Sequence, residues 1–170
     1  VLQGRFAVGI QGPQDVPQGE SQFSFADAVR VAGVSSNYTI REVGQAGWAQ
    51  SYPEGGEYNV NMTGGNMVSG RDFGNYQLAS VSGLKFNDLD DDGLQDPGEP
   101  DLDDWTIELF DPSTQQVVDT DVTSGGGLYS FDDIVPGDYE VREQLQDGWR
   151  RTHPQADAHL LTLASGDTIE

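Results

Sequence analysis

Apolar and polar residues alternate in short runs along this chain, and the runs are broken at close intervals by glycine, proline and aspartate. The segment Trp105-Thr-Ile107-Glu-Leu109-Phe110 shows the pattern, with Trp105, Ile107 and Leu109 on one side of a pleated strand. Runs of this kind predict strands near residues 81–87, 104–110, 116–123, 127–131, 137–144 and 157–163 in the second half of the chain. In the first half they predict strands near 3–10, 21–26, 36–43, 57–63 and 67–76. Thr123–Gly127, with three glycines, and Val135-Pro-Gly-Asp138 read as tight turns. The stretch Phe25–Val34 has some helical character and predicts one turn of helix. Many short strands with turn signals between them argue for an all-β fold of the sandwich type.

The pattern is written twice. Tyr38-Thr-Ile40-Arg41-Glu42 recurs as Tyr139-Glu-Val141-Arg142-Glu143, Gly47-Trp48 as Gly148-Trp149, and Pro53 as Pro154, always 101 residues apart. A repeat this long is a whole domain rather than a solenoid unit. It divides the chain into one β-sandwich over residues 1–78 and a second over 79–170. Glu170 aligns with Ser69, so the second copy has no counterpart of Gly70–Gln77, and the second sandwich is expected to lack its last strand. Gly4-Arg5 stands as far from Gln11 as Gly70-Arg71 stands from Gln77. Val1–Ile10 is therefore a candidate to complete a neighbouring unit's sandwich, against the simpler reading that it opens the first domain.

One turn carries chemistry. Asp88–Glu99 reads Asp-Leu-Asp-Asp-Asp-Gly-Leu-Gln-Asp-Pro-Gly-Glu, with carboxylates at positions one, three, five, nine and twelve and Gly93 at the sixth. This is the spacing of an EF-hand calcium loop. Calcium takes six to eight oxygens at about 2.3–2.6 Å, and alternate residues of a tight loop turn inward to supply them. The expected ligands are the side chains of Asp88, Asp90, Asp92, Asp96 and Glu99 and the backbone carbonyl of Leu94. The bland alternative is a solvated acidic turn. An EF-hand needs a helix on each side, but both flanks here read as strands, so no helix pair is available to open on binding.

Composition narrows the class. Of 170 residues 35% are hydrophobic, 22 are glycine, 8 are proline and none is cysteine. Disulfides, thiol catalysis and cysteine-based zinc sites are excluded. No apolar run is long enough to cross a bilayer, and no signal peptide is visible, which reads as a mature chain or an excerpt. The net charge is −21 and uneven. Residues 1–80 hold 7 acidic and 4 basic groups, whereas residues 81–170 hold 22 and 4, nine of the acids lying between Asp88 and Asp104. Such a field repels nucleic acid and favours bound cations. His153 and His159 stand in no zinc-type spacing, and neither a nucleophile elbow nor a phosphate-binding glycine loop is present, so no enzyme is expected. Trp48 and Trp149 read as burial anchors rather than sugar-stacking rings, and Arg41-Glu42 and Arg142-Glu143 as charges on strand surfaces.

These residues together resemble the SdrD B-like repeats of bacterial surface proteins, relatives of the CnaB-type sandwiches. The resemblance rests on Gly83-Leu-Lys-Phe-Asn-Asp88 leading into the acidic loop, and on Gly98-Glu-Pro before Trp105-Thr-Ile. Tyr129-Ser-Phe131, Pro136-Gly-Asp-Tyr139-Glu-Val-Arg-Glu143 and Gly148-Trp149 continue it, with Gly70-Arg-Asp-Phe-Gly-Asn75 in the first copy. It implies two tandem Ig-like, CnaB-type sandwiches in an extracellular or cell-surface protein. The first copy has no calcium loop. Some CnaB relatives carry a Lys–Asn isopeptide bond; Lys85 lies on the right strand, but the second copy ends before a closing asparagine, and the bond is not expected. The expected function is a calcium-stiffened structural module of a surface or filament protein, assembling head to tail with copies of itself or neighbouring repeats. The alternative is an adhesin or carbohydrate-binding module.

Overall fold

A computed structural model describes residues 8–11, 29–30, 36–62 and 67–170. Among them there is no helix, and the chain is all-β. It separates into two compact units, Val1–Tyr76 and Gln77–Glu170.

The first unit contains β1 (Val8–Gln11), β2 (Val29–Arg30), β3 (Ser36–Glu42), β4 (Trp48–Tyr52), β5 (Glu57–Met62), β6 (Met67–Val68) and β7 (Gly74–Gln77), the last reaching into the start of the second unit. β1, β3 and β5 form one antiparallel sheet in that order, while β2 pairs with β6 and β4 with β7. Val60 and Met62, two residues apart on β5, turn the same way and are buried. Tyr58 meets Phe73 edge-on at 5.5 Å and donates its hydroxyl to the Asp72 carbonyl.

One alternative is decided and two expectations change here. Val8–Gln11 pairs with Thr39–Glu42 of its own unit, Ile10 opposite Ile40, so the described end of Val1–Ile10 is a strand of the first domain, while residues 1–7 lie outside the described residues. The predicted strand over 67–76 is two separate strands, β6 and β7. The strand near 21–26 lies outside the described residues, as does most of the predicted helical turn, of which Val29–Arg30 is strand.

The second unit is a two-layer sandwich of β8 (Ala79–Leu84), β9 (Thr106–Asp111), β10 (Gln116–Val122), β11 (Leu128–Ile134), β12 (Gly137–Glu143), β13 (His159–Leu163) and β14 (Thr168–Ile169). One sheet runs β10-β9-β12-β13 and the other β11-β8-β14. All pairs are antiparallel except β14, which joins β8 in parallel through Thr168–Ser80 and Ile169–Val81. The period-two pattern is what makes the sandwich. Ala79 and Val81 of β8 and Phe131 and Ile134 of β11 face Ile107 and Leu109 of β9, Val141 of β12 and Leu163 of β13 across one core. Thr123 is fully buried but satisfied: its hydroxyl donates to the Leu102 carbonyl at 2.7 Å and accepts from the Trp105 amide at 3.0 Å.

Phe131 is 1% exposed at the centre of that core. Phe131→Ala is expected to cost the second unit about 3–5 kcal/mol, the range for truncating a buried aromatic. Urea denaturation of a Trp48→Phe background, followed by the fluorescence of Trp105 and Trp149, measures it; a loss under about 1 kcal/mol would place the core elsewhere.

Candidate metal centre

The acidic loop hangs between β8 and β9, the two strands at the heart of the sandwich. Its neck is tied by backbone. Phe86 and Asp101 form an isolated antiparallel bridge, the Asn87 amide donates to the Pro100 carbonyl at 2.9 Å, and the Leu102 amide donates to the Lys85 carbonyl at 2.8 Å. The Lys85 amide in turn donates to Gly127 at 2.8 Å. Gly127 has φ +72° and lies so close to the Lys85 carbonyl that a Cβ would collide with it, so the three-glycine turn is fixed by this approach.

Inside the neck the loop is shaped by its own carboxylates. Asp88 accepts from the amides of Asp91 at 2.6 Å, Asp92 at 3.2 Å and Gly93 at 2.8 Å. Asp92 accepts from the Leu94 amide at 2.7 Å. Glu99 reaches back across the loop, one oxygen to the Leu89 amide at 2.6 Å and the other to the Asp96 amide at 3.1 Å. Asp91 and Gly93 adopt left-handed backbone, at φ 65° and 80°, which gives the bend its sharpness.

The carboxylates converge. Oxygens of Asp88, Asp90 and Glu99 lie within 4.8 Å of one another, as do those of Asp90, Asp92 and Asp96. The two groups share Asp90, so the five predicted acidic residues form two overlapping triads. Leu94 sits in the same loop, 63% exposed, and its side chain has no ligand atom, so its carbonyl is the group it can offer. The donor set is oxygen only and suits a hard cation.

Charge is distributed unequally over these groups. Desolvation works against ionised Asp88, but the hydrogen bonds it accepts from the Gly93 amide, the Thr152 hydroxyl and the Asp91 and Asp92 amides hold its carboxyl below its ordinary value. Asp90 is pushed above its ordinary value, first by desolvation and then by the charge of Asp92, with Asp96 and Glu99 adding to it.

Residues far along the chain complete the surroundings, and spacing gave no sign of them. Arg150 pairs with Asp91 at 2.6 Å, and Thr152 lies over the loop with its carbonyl beside Gly93. Glu143 is not a strand-surface charge: its side chain is 7% exposed and held by Lys85 at 2.8 Å and Arg151 at 3.2 Å. The Lys85 ammonium stands 4.6 Å over the ring of Trp105, against which Trp149 packs edge-on at 5.2 Å. Arg142 does lie at the surface, stacked on Phe110 at 3.5 Å. His153 and His159 come together, with ring centroids 5.1 Å apart, outside the two carboxylate groups.

Residues 79–162 match the SdrD B-like domain family. Colossin-B of Dictyostelium discoideum is 38% identical over 70 residues, covering 37% of this chain and 2% of that protein. The bone sialoprotein-binding protein of Staphylococcus aureus is 28% identical over 126 residues, 68% of this chain and 11% of that protein. The chain thus spans about a tenth or less of these relatives. A major pilin subunit of Bacillus cereus superposes with a TM-score of 0.38 at 11% identity, covering 84% of this chain and 39% of the pilin. None of these names describes an enzyme: one is a domain family, one a sialoprotein-binding protein and one a pilin subunit.

The opposed shifts give a signed test. Because Asp90 is raised in the fold, its favourable contribution is full below the ordinary value of 3.8 and is lost as pH rises through the raised value. Asp88, lowered, contributes above 3.8 and loses its contribution as pH falls through its depressed value. Asp90→Asn is therefore expected to raise the melting temperature of chelated protein at pH 7, with the gain vanishing below about pH 4, and to diminish the stabilisation that calcium gives. Calorimetry in EDTA and in calcium reads both; a variant less stable in EDTA at pH 7, with its calcium response intact, would contradict the assignment.

Proposed function

Residues 79–162 belong to the SdrD B-like domain family, and from that premise we propose that the chain is a structural module of an extracellular surface or filament protein, stiffened by calcium. The observation that carries the reading is the pair of carboxylate triads sharing Asp90 in a loop tied at its neck to core strands. Asp88, Asp90, Asp92, Asp96 and Glu99 would hold the ion through carboxylate oxygens and Leu94 through its carbonyl. The ion supplies positive charge where nine acidic residues crowd between Asp88 and Asp104. Its partners are neighbouring repeats or copies of the chain, joined head to tail, a contact that extends rather than closes.

The adhesin reading draws only on the name of one relative. Trp149 is 39% exposed, and its ring meets that of Trp105 of the same unit at a right angle.

A ligand bound by the folded state alone stabilises by about 2.7 kcal/mol at a hundred times its Kd. For a domain of this size that is on the order of 10–20 °C in melting temperature. Calcium is expected to raise the transition of the second unit by that amount and EDTA to reverse it; superimposable scans would sink the proposal.

Stiffness is tested separately. One residue, Leu78, separates β7 from β8, which leaves little chain to act as a swivel. NMR relaxation in calcium is expected to give both units the same rotational correlation time. Two distinct, shorter times would show independent tumbling.

A further inference from the structure

The two histidines of the chain stand in no motif, yet the fold brings them together. The ring centres of His153 and His159 are 5.1 Å apart, with the planes tilted by 52°. His153 closes the segment that carries Arg150 and Thr152 over the acidic loop, and His159 opens β13. Both residues are exposed. Partial burial of its ring and the neighbouring His153 both lower His159 from its ordinary value, which favours the neutral imidazole that gives a lone pair to a metal.

The separation is that of two ligands on one ion. A zinc–nitrogen bond of about 2.1 Å sets an imidazole centre about 3.2 Å from the metal, and two such rings at a tetrahedral angle have centres about 5.2 Å apart. The pair already stands at 5.1 Å. Neither ring belongs to either carboxylate triad. The cations of the same segment are occupied: Arg150 is paired with Asp91, and Arg151 with Glu143 and Asp157. Their charge is thereby offset, and the net charge of −21 draws divalent cations to the surface.

We propose that His153 and His159 form a second metal site, a two-nitrogen clip for a divalent transition ion of the zinc class, with water completing the coordination. Imidazole suits zinc, nickel and copper, whereas the all-oxygen loop suits calcium, so the two sites divide metals by the softness of their ligands. Residues 154–158, which join the two histidines, form no strand. The ion closes that excursion and fastens the segment over the acidic loop to β13, which pairs with β12. The clip makes no use of calcium and stands or falls apart from the calcium reading of the loop.

The test is a zinc titration of the untagged whole chain in excess calcium, with the imidazole nitrogens followed by NMR. The chain has only these two histidines, so one substitution assigns both sets of signals. The ring nitrogens of both are expected to shift together and to reach completion at one zinc per chain. His153→Ala and His159→Ala are each expected to weaken that binding about tenfold or more. Both residues are exposed, and the urea midpoint of each variant checks that the sandwich is intact. Three results would overturn the proposal: no shift of either ring at about millimolar zinc, which leaves a ring contact only; a shift of one ring alone; or an affinity that neither substitution changes. A missing calcium response in the melting scans, with the paired histidine shifts intact, would count against the calcium reading alone.

Discussion

Like charges gathered in a small volume repel, and a loop that gathers them must be held shut by something stronger than its own preference. In the second unit that holding is done by backbone. The Phe86–Asp101 bridge and the paired amides of Asn87 and Leu102 continue the direction of β8 and β9 beyond the ends of both strands. The strands are in turn fixed by Ala79, Val81, Ile107 and Leu109 in the core. Hydrophobic burial thus sets the position of the neck, and the neck sets how closely the carboxylates must stand. Calcium, in the proposed function, would relieve the repulsion without having to create the loop.

Glu143 connects this arrangement to the far side of the unit. A carboxylate this buried is costly unless it is paired, and it is paired twice. Lys85 comes from the residue just past β8, where the loop begins, and Arg151 from the segment that lies over the loop through Arg150 and Thr152. The same carboxylate therefore ties the start of the loop to the segment that covers it. Trp105 adds to the tie, since its ring takes the Lys85 ammonium on one side and the edge contact of Trp149 on another.

What could be read from sequence follows the range of the interactions involved. The acidic loop was legible because its ligand spacing is local, and β9 because alternation is local: Trp105, Ile107 and Leu109 are buried as the pattern requires. The partners of the loop were not legible, because Arg150 and Thr152 lie more than fifty residues away and carry no motif. Glu143 looked like a surface charge because strand period alone cannot tell which polar residue will meet two cations. The pairing of Val8–Gln11 with β3 bears out the simpler of the two readings, a strand that opens the first domain, since a matching spacing of Gly, Arg and Gln says nothing about which neighbour a strand will choose.

Strand β4 makes the same point more sharply. Trp48-Ala-Gln-Ser-Tyr52 shows no clean alternation and was not expected to be a strand, yet it is one where β7 lies beside it. Trp149-Arg-Arg-Thr-His153 enters through the same turn and leaves through the same kind of proline bond, yet it is irregular. Intrinsic preference does not separate the two, since both are short and mixed in character. What differs is the availability of backbone to pair with. In this architecture a marginal edge segment becomes a strand when a neighbour satisfies its N–H and C=O groups, so its secondary structure reports on the neighbour rather than on its own sequence.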